Sequence, residues 1–152
     1  MKVLFVCLGN ICRSPTAHAV FRQMAADAGL KVTVESAGTS ASHKGDLPDP
    51  RSVKAAPAYS FKGLRSRPVM DQDFADYDLI LAMDNQNVAD LKRRCPAEFQ
   101  HKIKLLLSYH PDFARYQEVP DPYYGGLRGF DVVLNLIETA CSGLVAALKR
   151  PA

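Results

Sequence analysis

An unbroken apolar run, Val3 to Val6, ends directly in Cys7-Leu8-Gly9-Asn10-Ile11-Cys12-Arg13-Ser14-Pro15. No other stretch constrains the fold as much. The run is short, β-branched and aromatic, which suits a strand buried on both faces. Gly9 and Asn10 tolerate a positive φ, so a tight loop follows at once. Ser14-Pro15 then reads as a helix start, with Ser14 as N-cap and Pro15 at the first helical position. Strand, tight loop and helix N-terminus together aim several backbone N–H groups at one point and add the positive end of a helix dipole. The predicted content of that point is an anion.

The rest of the chain supplies the frame for this unit. Val20, Phe21, Met24 and Ala28 recur at helical spacing, so residues 15–28 are predicted to form an amphipathic helix ended by Gly29. Lys31 to Ser36 reads as a second strand, and a strand–helix–strand unit of this length implies a parallel crossover. Residues 38–50 read as a loop, Asp49-Pro50-Arg51 as the start of a short helix stopped by Pro57, and 57–73 carries no clear period. A third buried strand is predicted over Asp78 to Met83, a helix capped by Asp84 and stopped by Pro96, and a fourth strand over Ile103 to Leu107. A long loop over 108–129 bears Pro, Tyr and Gly, and loops of that length in a compact domain tend to carry function. Phe130, Val133, Leu134, Ile137, Cys141, Leu144, Val145 and Leu148 mark a final amphipathic helix. The expectation is an α/β fold spanning 1–152 as a single domain: a four-stranded parallel sheet with helices on both faces, its phosphate-binding loop between strand 1 and helix 1. In such sheets ligands bind at the carboxyl ends of the strands.

Composition narrows the function classes. At 152 residues with 47% hydrophobic and 23% charged content, the chain reads as an ordinary globular protein. No apolar run approaches the roughly 20 residues that span a bilayer, and the N-terminus lacks a signal-peptide pattern. A cytoplasmic location and no membrane partner are expected. The net charge of +3 is too mild, and too scattered, for a nucleic-acid protein. Cys7, Cys12, Cys95 and Cys141 show no paired-cysteine spacing, and His18, His43, His101 and His110 no metal-ligand spacing. No metal and no cofactor are expected.

Within the opening loop, Cys7 and Arg13 form a Cys-x5-Arg pattern followed by Ser14. A thiol attacks only as thiolate, and the loop N–H groups, the helix end and Arg13 all favour that form. The same donors would hold a phosphate, with Arg13 offering two parallel N–H bonds, and would stabilise the charge that spreads during phosphoryl transfer. Ser14 can donate a hydrogen bond to the sulfur, and Asn10 can lock the loop by side-chain hydrogen bonds. Alone, a cysteine at a strand end is more often a small hydrophobe. The preceding strand, the Gly/Asn loop and the Ser-Pro helix start favour chemistry instead. A Walker-type ATP site is excluded, because its Gly-x4-Gly-Lys-Ser/Thr pattern is absent. An ester leaving group also needs a proton. Asp121, inside Val119-Pro120-Asp121-Pro122-Tyr123-Tyr124, is the candidate acid: flanking prolines stiffen it, and Tyr123 and Tyr124 offer walls for an aromatic ring.

With these residues in hand, the chain resembles the low-molecular-weight protein tyrosine phosphatases. Val6 to Pro15 is similar to that family's phosphate loop, and Asp121-Pro122-Tyr123-Tyr124 to its acid loop. Ser36-Ala37-Gly38, Pro48-Asp49-Pro50-Arg51 and Leu81-Ala82-Met83-Asp84 follow in the family's order. The resemblance implies a metal-free, two-step hydrolysis of phosphotyrosine or aryl phosphate. Cys7 would be the nucleophile, Asp121 the general acid and then base, and Arg13 the phosphate ligand. Leu8, Gly9, Asn10, Ile11, Cys12, Arg13 and Ser14 would form the loop, with Asn10, Ser14 and Ser36 supporting it. It also implies that Cys12 can form a reversible disulfide with the nucleophile, and that the partners are tyrosine-phosphorylated proteins and oxyanions. Two departures stand out. Family members often carry an aromatic residue near Ser42, where Ala41-Ser42-His43 supplies none unless His43 substitutes. They also often carry a loop-supporting histidine at the position of Leu64. Two other readings share these features: an arsenate reductase, which needs a relay of two further cysteines, and a non-catalytic phosphate-binding or redox-sensing module. Oligomeric state is left open by the sequence.

Overall fold

A computed structural model describes residues 1–123 and 126–150. The elements run β1 (Lys2–Cys7), α1 (Arg13–Asp27), β2 (Thr33–Gly38), α2 (Pro50–Ala55), α3 (Asp71–Asp76), β3 (Leu79–Ala82), α4 (Asn85–Arg94), β4 (Ile103–Leu105) and α5 (Leu127–Lys149). The four strands form one sheet in the order β2-β1-β3-β4, and every neighbouring pair is parallel. A four-stranded parallel sheet with helices on both faces is therefore what the chain builds.

The apolar run sits where its composition requires. Val3, Leu4, Phe5 and Val6 are fully buried on the central strand, which alternates its side chains between two cores. Val3, Phe5 and Cys7 meet the face covered by α1 and α5, with Phe21, Leu81, Val133, Ile137 and Leu144. Phe5 and Phe21 pack edge to face with centroids 5.6 Å apart. Each such buried ring contributes about 2–3 kcal/mol relative to an exposed one. Leu4 and Val6 meet Phe74, Tyr77, Ile80 and Leu91 on the other face.

Several boundaries differ from the sequence expectation. Helix α1 begins at Arg13, with Cys12 rather than Ser14 at the cap position. The Ser14 hydroxyl is drawn to the Cys7 sulfur instead, 3.0 Å away. Strand β2 starts two residues later than expected and runs on through Ala37 and Gly38, paired with Val6 and Cys7. Strand β4 stops at Leu105, and Leu106–Tyr109 turns into a 3-10 helix. Leu106 and Leu107 are fully buried there, so their apolar character reflects burial and not an extended backbone. Asp84 caps α4 as expected, accepting from Asn87 N at 2.7 Å, and Asp49 caps α2, accepting from Arg51 N at 2.8 Å. By length and composition, Arg128–Lys149 in α5 is apolar enough to cross a membrane. Asp131 and Glu138 interrupt its apolar residues. Its stripe from Phe130 through Val133, Ile137, Cys141 and Leu144 is buried in the fold.

Candidate active site

The site lies at the carboxyl end of β1. Cys7 is the last residue of that strand and is 2% exposed. Asn10, with φ at 55°, is the one non-glycine described residue with positive φ, and it turns the loop back over the sulfur. Two backbone donors converge on Cys7 Sγ, Asn10 N at 3.3 Å and Ser14 N at 3.4 Å, and the Ser14 hydroxyl lies 3.0 Å from the same sulfur.

Side chains fix the loop from below. Asn10 Oδ1 accepts from Arg67 N at 3.0 Å, which sets the amide so that its Nδ2 donates to Ser14 Oγ at 2.7 Å. With that lone pair occupied, the Ser14 proton is free to point at the sulfur. Ser66 Oγ donates to Gly9 O at 2.9 Å. Arg67 is held in turn by both carboxylate oxygens of Asp73, at 2.9 and 3.2 Å. Gly38 closes the rear wall: a Cβ there would stand 2.7 Å from Leu8 O and 2.9 Å from Ser40 O. The expected loop-support role of Ser36 takes a different form. Its hydroxyl bonds His18 Nδ1 at 3.0 Å, and none of its hydrogen bonds goes to Asn10.

Arg13 is the electrostatic centre. Its side chain is 3% exposed. Nη1 donates to Asp84 Oδ2 at 2.6 Å and to Val119 O at 3.0 Å, and Nη2 lies 3.5 Å from Asp121 Oδ2. Burial alone would lower its pKa, but the neighbouring Cys7, Asp84 and Asp121 raise it above the ordinary value, so the cation is permanent. Asp84 was legible only as a helix cap. Its second oxygen has this further task.

The acid loop is anchored just ahead of Asp121. Val119 N donates to Met83 O at 2.8 Å, just beyond the end of β3, and Asn85 N donates to Glu118 Oε2 at 2.8 Å. Asp121 Oδ1 accepts from Tyr123 N at 3.0 Å, leaving Oδ2 toward Arg13. The Asp121 side chain is 43% exposed, at the mouth of a cavity of about 170 Å³ whose floor is Cys7, Cys12 and Arg13. Ser42, His43 and Tyr123 line the same cavity. The His43 and Tyr123 rings stand 6.0 Å apart at 55°, so the imidazole forms the wall for which no aromatic residue was found in sequence. Tyr123 also lies against the Arg51 guanidinium, 5.3 Å away, and Arg51 is clamped to Asp49 through two hydrogen bonds of 3.1 and 2.9 Å. Tyr124 lies outside the described residues.

The four cysteines are free. Burial, with Asp49 adding to it, pushes the Cys12 thiol up to about 12. Cys141 sits in the core on the α1/α5 face of the sheet and Cys95 in the core on the other. They do not form the paired relay that arsenate reduction needs.

Residues 2–152 match the family model for low molecular weight phosphotyrosine protein phosphatase. The chain belongs to this family. A low molecular weight protein-tyrosine-phosphatase of Streptomyces coelicolor is 44% identical over 155 residues, covering 98% of this chain and 94% of the relative. The Bacillus subtilis phosphatase YfkJ is 42% identical over 154 residues, covering 99% and 97%. Among solved structures, a protein tyrosine phosphatase of Entamoeba histolytica with Hepes in its active site superposes with a TM-score of 0.93 at 42% identity, covering 98% and 97%. The protein is thus a phosphatase of the phosphotyrosine class, a phosphoric monoester hydrolase whose family takes phosphorylated proteins.

One buried group of the phosphatase has a consequence for its stability. His18 is 4% exposed, and burial together with Arg22 pushes its imidazole from 6.5 down to about 4. Between those values the unfolded chain binds a proton that the folded chain refuses. Stability from this group is therefore complete above about pH 6.5 and falls as pH drops toward about 4, by about 3 kcal/mol over the window. Thermal melts at about pH 7 and about pH 4.5 should show a larger fall in the wild type than in His18→Asn.

Proposed function

We propose that this phosphatase hydrolyses phosphotyrosine and other aryl phosphates through a cysteinyl-phosphate formed on Cys7. The observation that carries the reading is the position of Arg13, which reaches toward Asp121 at 3.5 Å from the loop that cradles the Cys7 sulfur. One cation thus joins nucleophile and acid across one cavity. In the first step the Cys7 thiolate attacks phosphorus in line. An S–P bond forms, the P–O bond to the aryl oxygen breaks, and that oxygen takes the Asp121 proton. In the second step water attacks phosphorus and gives its proton to Asp121. The S–P bond breaks, and the sulfur leaves as thiolate with the Ser14 hydroxyl donating to it. Loop N–H groups and Arg13 hold the phosphoryl oxygens throughout, where their charge is fixed in advance.

Substrate choice follows from the walls. The His43 and Tyr123 rings pack against each other 6.0 Å apart and together form one aromatic wall of the cavity, against which a phenyl ring can lie, with Ser42 beside them and Leu8, 48% exposed, at the rim. Tyrosine-phosphorylated proteins are the substrates this wall supports, and the four free cysteines suit a reducing cytoplasm. Cys12 is the resolving partner when Cys7 is oxidised. Its thiol is held protonated by its surroundings, so oxidant reaches Cys7 first.

The test is an aryl phosphate assay on three proteins in parallel. Wild type should turn over with an optimum near about pH 5 to 6, where thiolate and protonated carboxyl coexist. Cys7→Ser should be inactive. Asp121→Ala should lose about 10²–10⁴-fold, most for esters with poor leaving groups. Normal turnover by Cys7→Ser would overturn the reading.

A further inference from the structure

We infer that the outer edge of β2 is a docking site for an extended, acidic segment of a partner protein, which adds to the sheet as a further strand. The site is a groove of about 640 Å³, lined by Val34, Glu35 and Ser36 of β2 together with residues of α1 and of 62–67. Among the described residues it shares none with the catalytic cavity. It stands whether or not the hydrolytic reading does.

The backbone of β2 presents hydrogen-bonding groups to this groove. β2 lies at one end of the sheet, and β1 is its neighbouring strand. Thr33 N donates to Met1 O and Thr39 N to Cys7 O, both at 2.9 Å, so the odd-numbered residues of β2 face β1. Strand geometry then turns the N–H and C=O of Val34, Ser36 and Gly38 outward. At Gly38 the outward pair is in use: Gly38 N donates to Arg67 O and Val69 N to Gly38 O, both at 2.8 Å, around a parallel bridge with Pro68. That bridge is isolated. Just before it the chain turns away, with Ser66 N donating to Asp46 O at 2.9 Å. Among the described residues, no backbone group bonds Val34 or Ser36 from the outer side. The fold thus begins a fifth strand and stops after one rung, leaving two donors and two acceptors at the spacing an extended peptide needs. A segment of about five residues covers the run from Val32 to Ser36.

Charge selects the occupant. Arg22, Lys62, Arg65 and Arg67 line the groove, against the carboxylate of Glu35. Among the described residues, Arg67 alone of these cations has a carboxylate partner, Asp73 at 2.9 Å. Arg22 donates to Ser60 O at 2.7 Å and Arg65 to Gly45 O at 3.1 Å. Those carbonyls hold the guanidinium groups in place and leave their charge uncompensated. Such a groove favours acidic side chains on the incoming strand. The same cations oppose a second copy of this edge, which would bring like charges together. A nucleic acid would answer the charge but not the alternating backbone donors and acceptors. Ala26, Leu30, Val32 and Val34 offer apolar contact to the strand's alternate side chains.

The probe is a fluorescein-labelled heptapeptide of alternating glutamate and valine, titrated onto the full chain at low ionic strength, with amide exchange and shifts read by NMR. At saturation the Val34 and Ser36 amides should exchange about tenfold more slowly or better, while Thr33, Glu35 and Ala37, already turned to β1, stay within about twofold. Of two such peptides N-methylated on alternate amides, one should bind about tenfold weaker than the other, because a single set faces β2. Lys62→Glu combined with Arg65→Glu should weaken the acidic peptide about tenfold, and a lysine–valine peptide should bind wild type correspondingly poorly. The amide resonances of residues 7–14 should hold their positions. No binding at about 1 mM peptide, unmoved exchange at Val34 and Ser36, or equal affinity of the two N-methylated peptides overturns the inference. Shifts concentrated in residues 7–14 would place the peptide on the Cys7 loop and overturn it too. So would protection of Val34 and Ser36 on concentrating the protein alone, which makes the occupant a second copy.

Discussion

Arg13→Lys is expected to lower kcat/KM for an aryl phosphate by about 10³-fold, or about 4 kcal/mol of transition-state stabilisation, while retaining the positive charge. The guanidinium here serves three oxygens at once, on Asp84, Val119 and Asp121, from a side chain that is 3% exposed. A lysine ammonium is a compact, strongly hydrated charge with no planar fork. It cannot keep Asp84 and Val119 and also present two parallel donors to a phosphoryl group. Asp84 would be left with an unpaired oxygen, so a loss of about 1–3 kcal/mol in stability accompanies the catalytic defect. Steady-state kinetics and a denaturant melt on the same preparation separate the two effects. A lysine variant within about tenfold of wild type would show that charge alone suffices and that fork geometry does not matter.

The largest stability effect is expected far from the cavity, at Gly143→Ala in α5. Removing a glycine from a helix interior ordinarily gains about 1 kcal/mol. Here a Cβ would stand 2.0 Å from Tyr109 O and 3.1 Å from Tyr109 C. Those are backbone atoms of the 3-10 helix that follows β4, so no rotamer change relieves the clash. The helix must shift away from the core that Leu106 and Leu107 fill, and the cost should reach about 3 kcal/mol or more. For a chain of this size that is a fall of about 10 °C in Tm. A Tm at or above wild type would mean that the close approach is not a real constraint.

The two predictions mark the difference between what could be read in the residues and what could not. The junction of β1 with its loop was legible because each local signal agreed: a buried strand, two residues tolerant of positive φ, and a helix start. Strand β3, the Asp84 cap and the stripe of α5 were legible for the same reason. Helix α3 was not. It spans Asp71–Asp76, too short to display a period, and its start is held by Met70 N donating to the Asp73 side chain. The end of β4 was misjudged because an apolar pair cannot distinguish a strand from a buried 3-10 turn. In the site, Cys7, Arg13 and Asp121 could be named from local patterns. His43 was offered by its place beside Ser42, and the structure adds its contact with Tyr123; the second task of Asp84 and the His18–Ser36 pair depend on contacts between distant segments, which no spacing along the chain displays. Gly143 is invisible to pattern for the same reason.

The central claim is a covalent phosphoryl group on Cys7, and acid quenching tests it most directly. Asp121→Ala, mixed with a radiolabelled aryl phosphate bearing a good leaving group, should complete the first step and stall in the second, because the base for water is gone. Label should then accumulate on the peptide containing Cys7 in the quenched variant, at a higher level than in wild type. Label on another residue, or continued turnover with none on Cys7, would contradict the account.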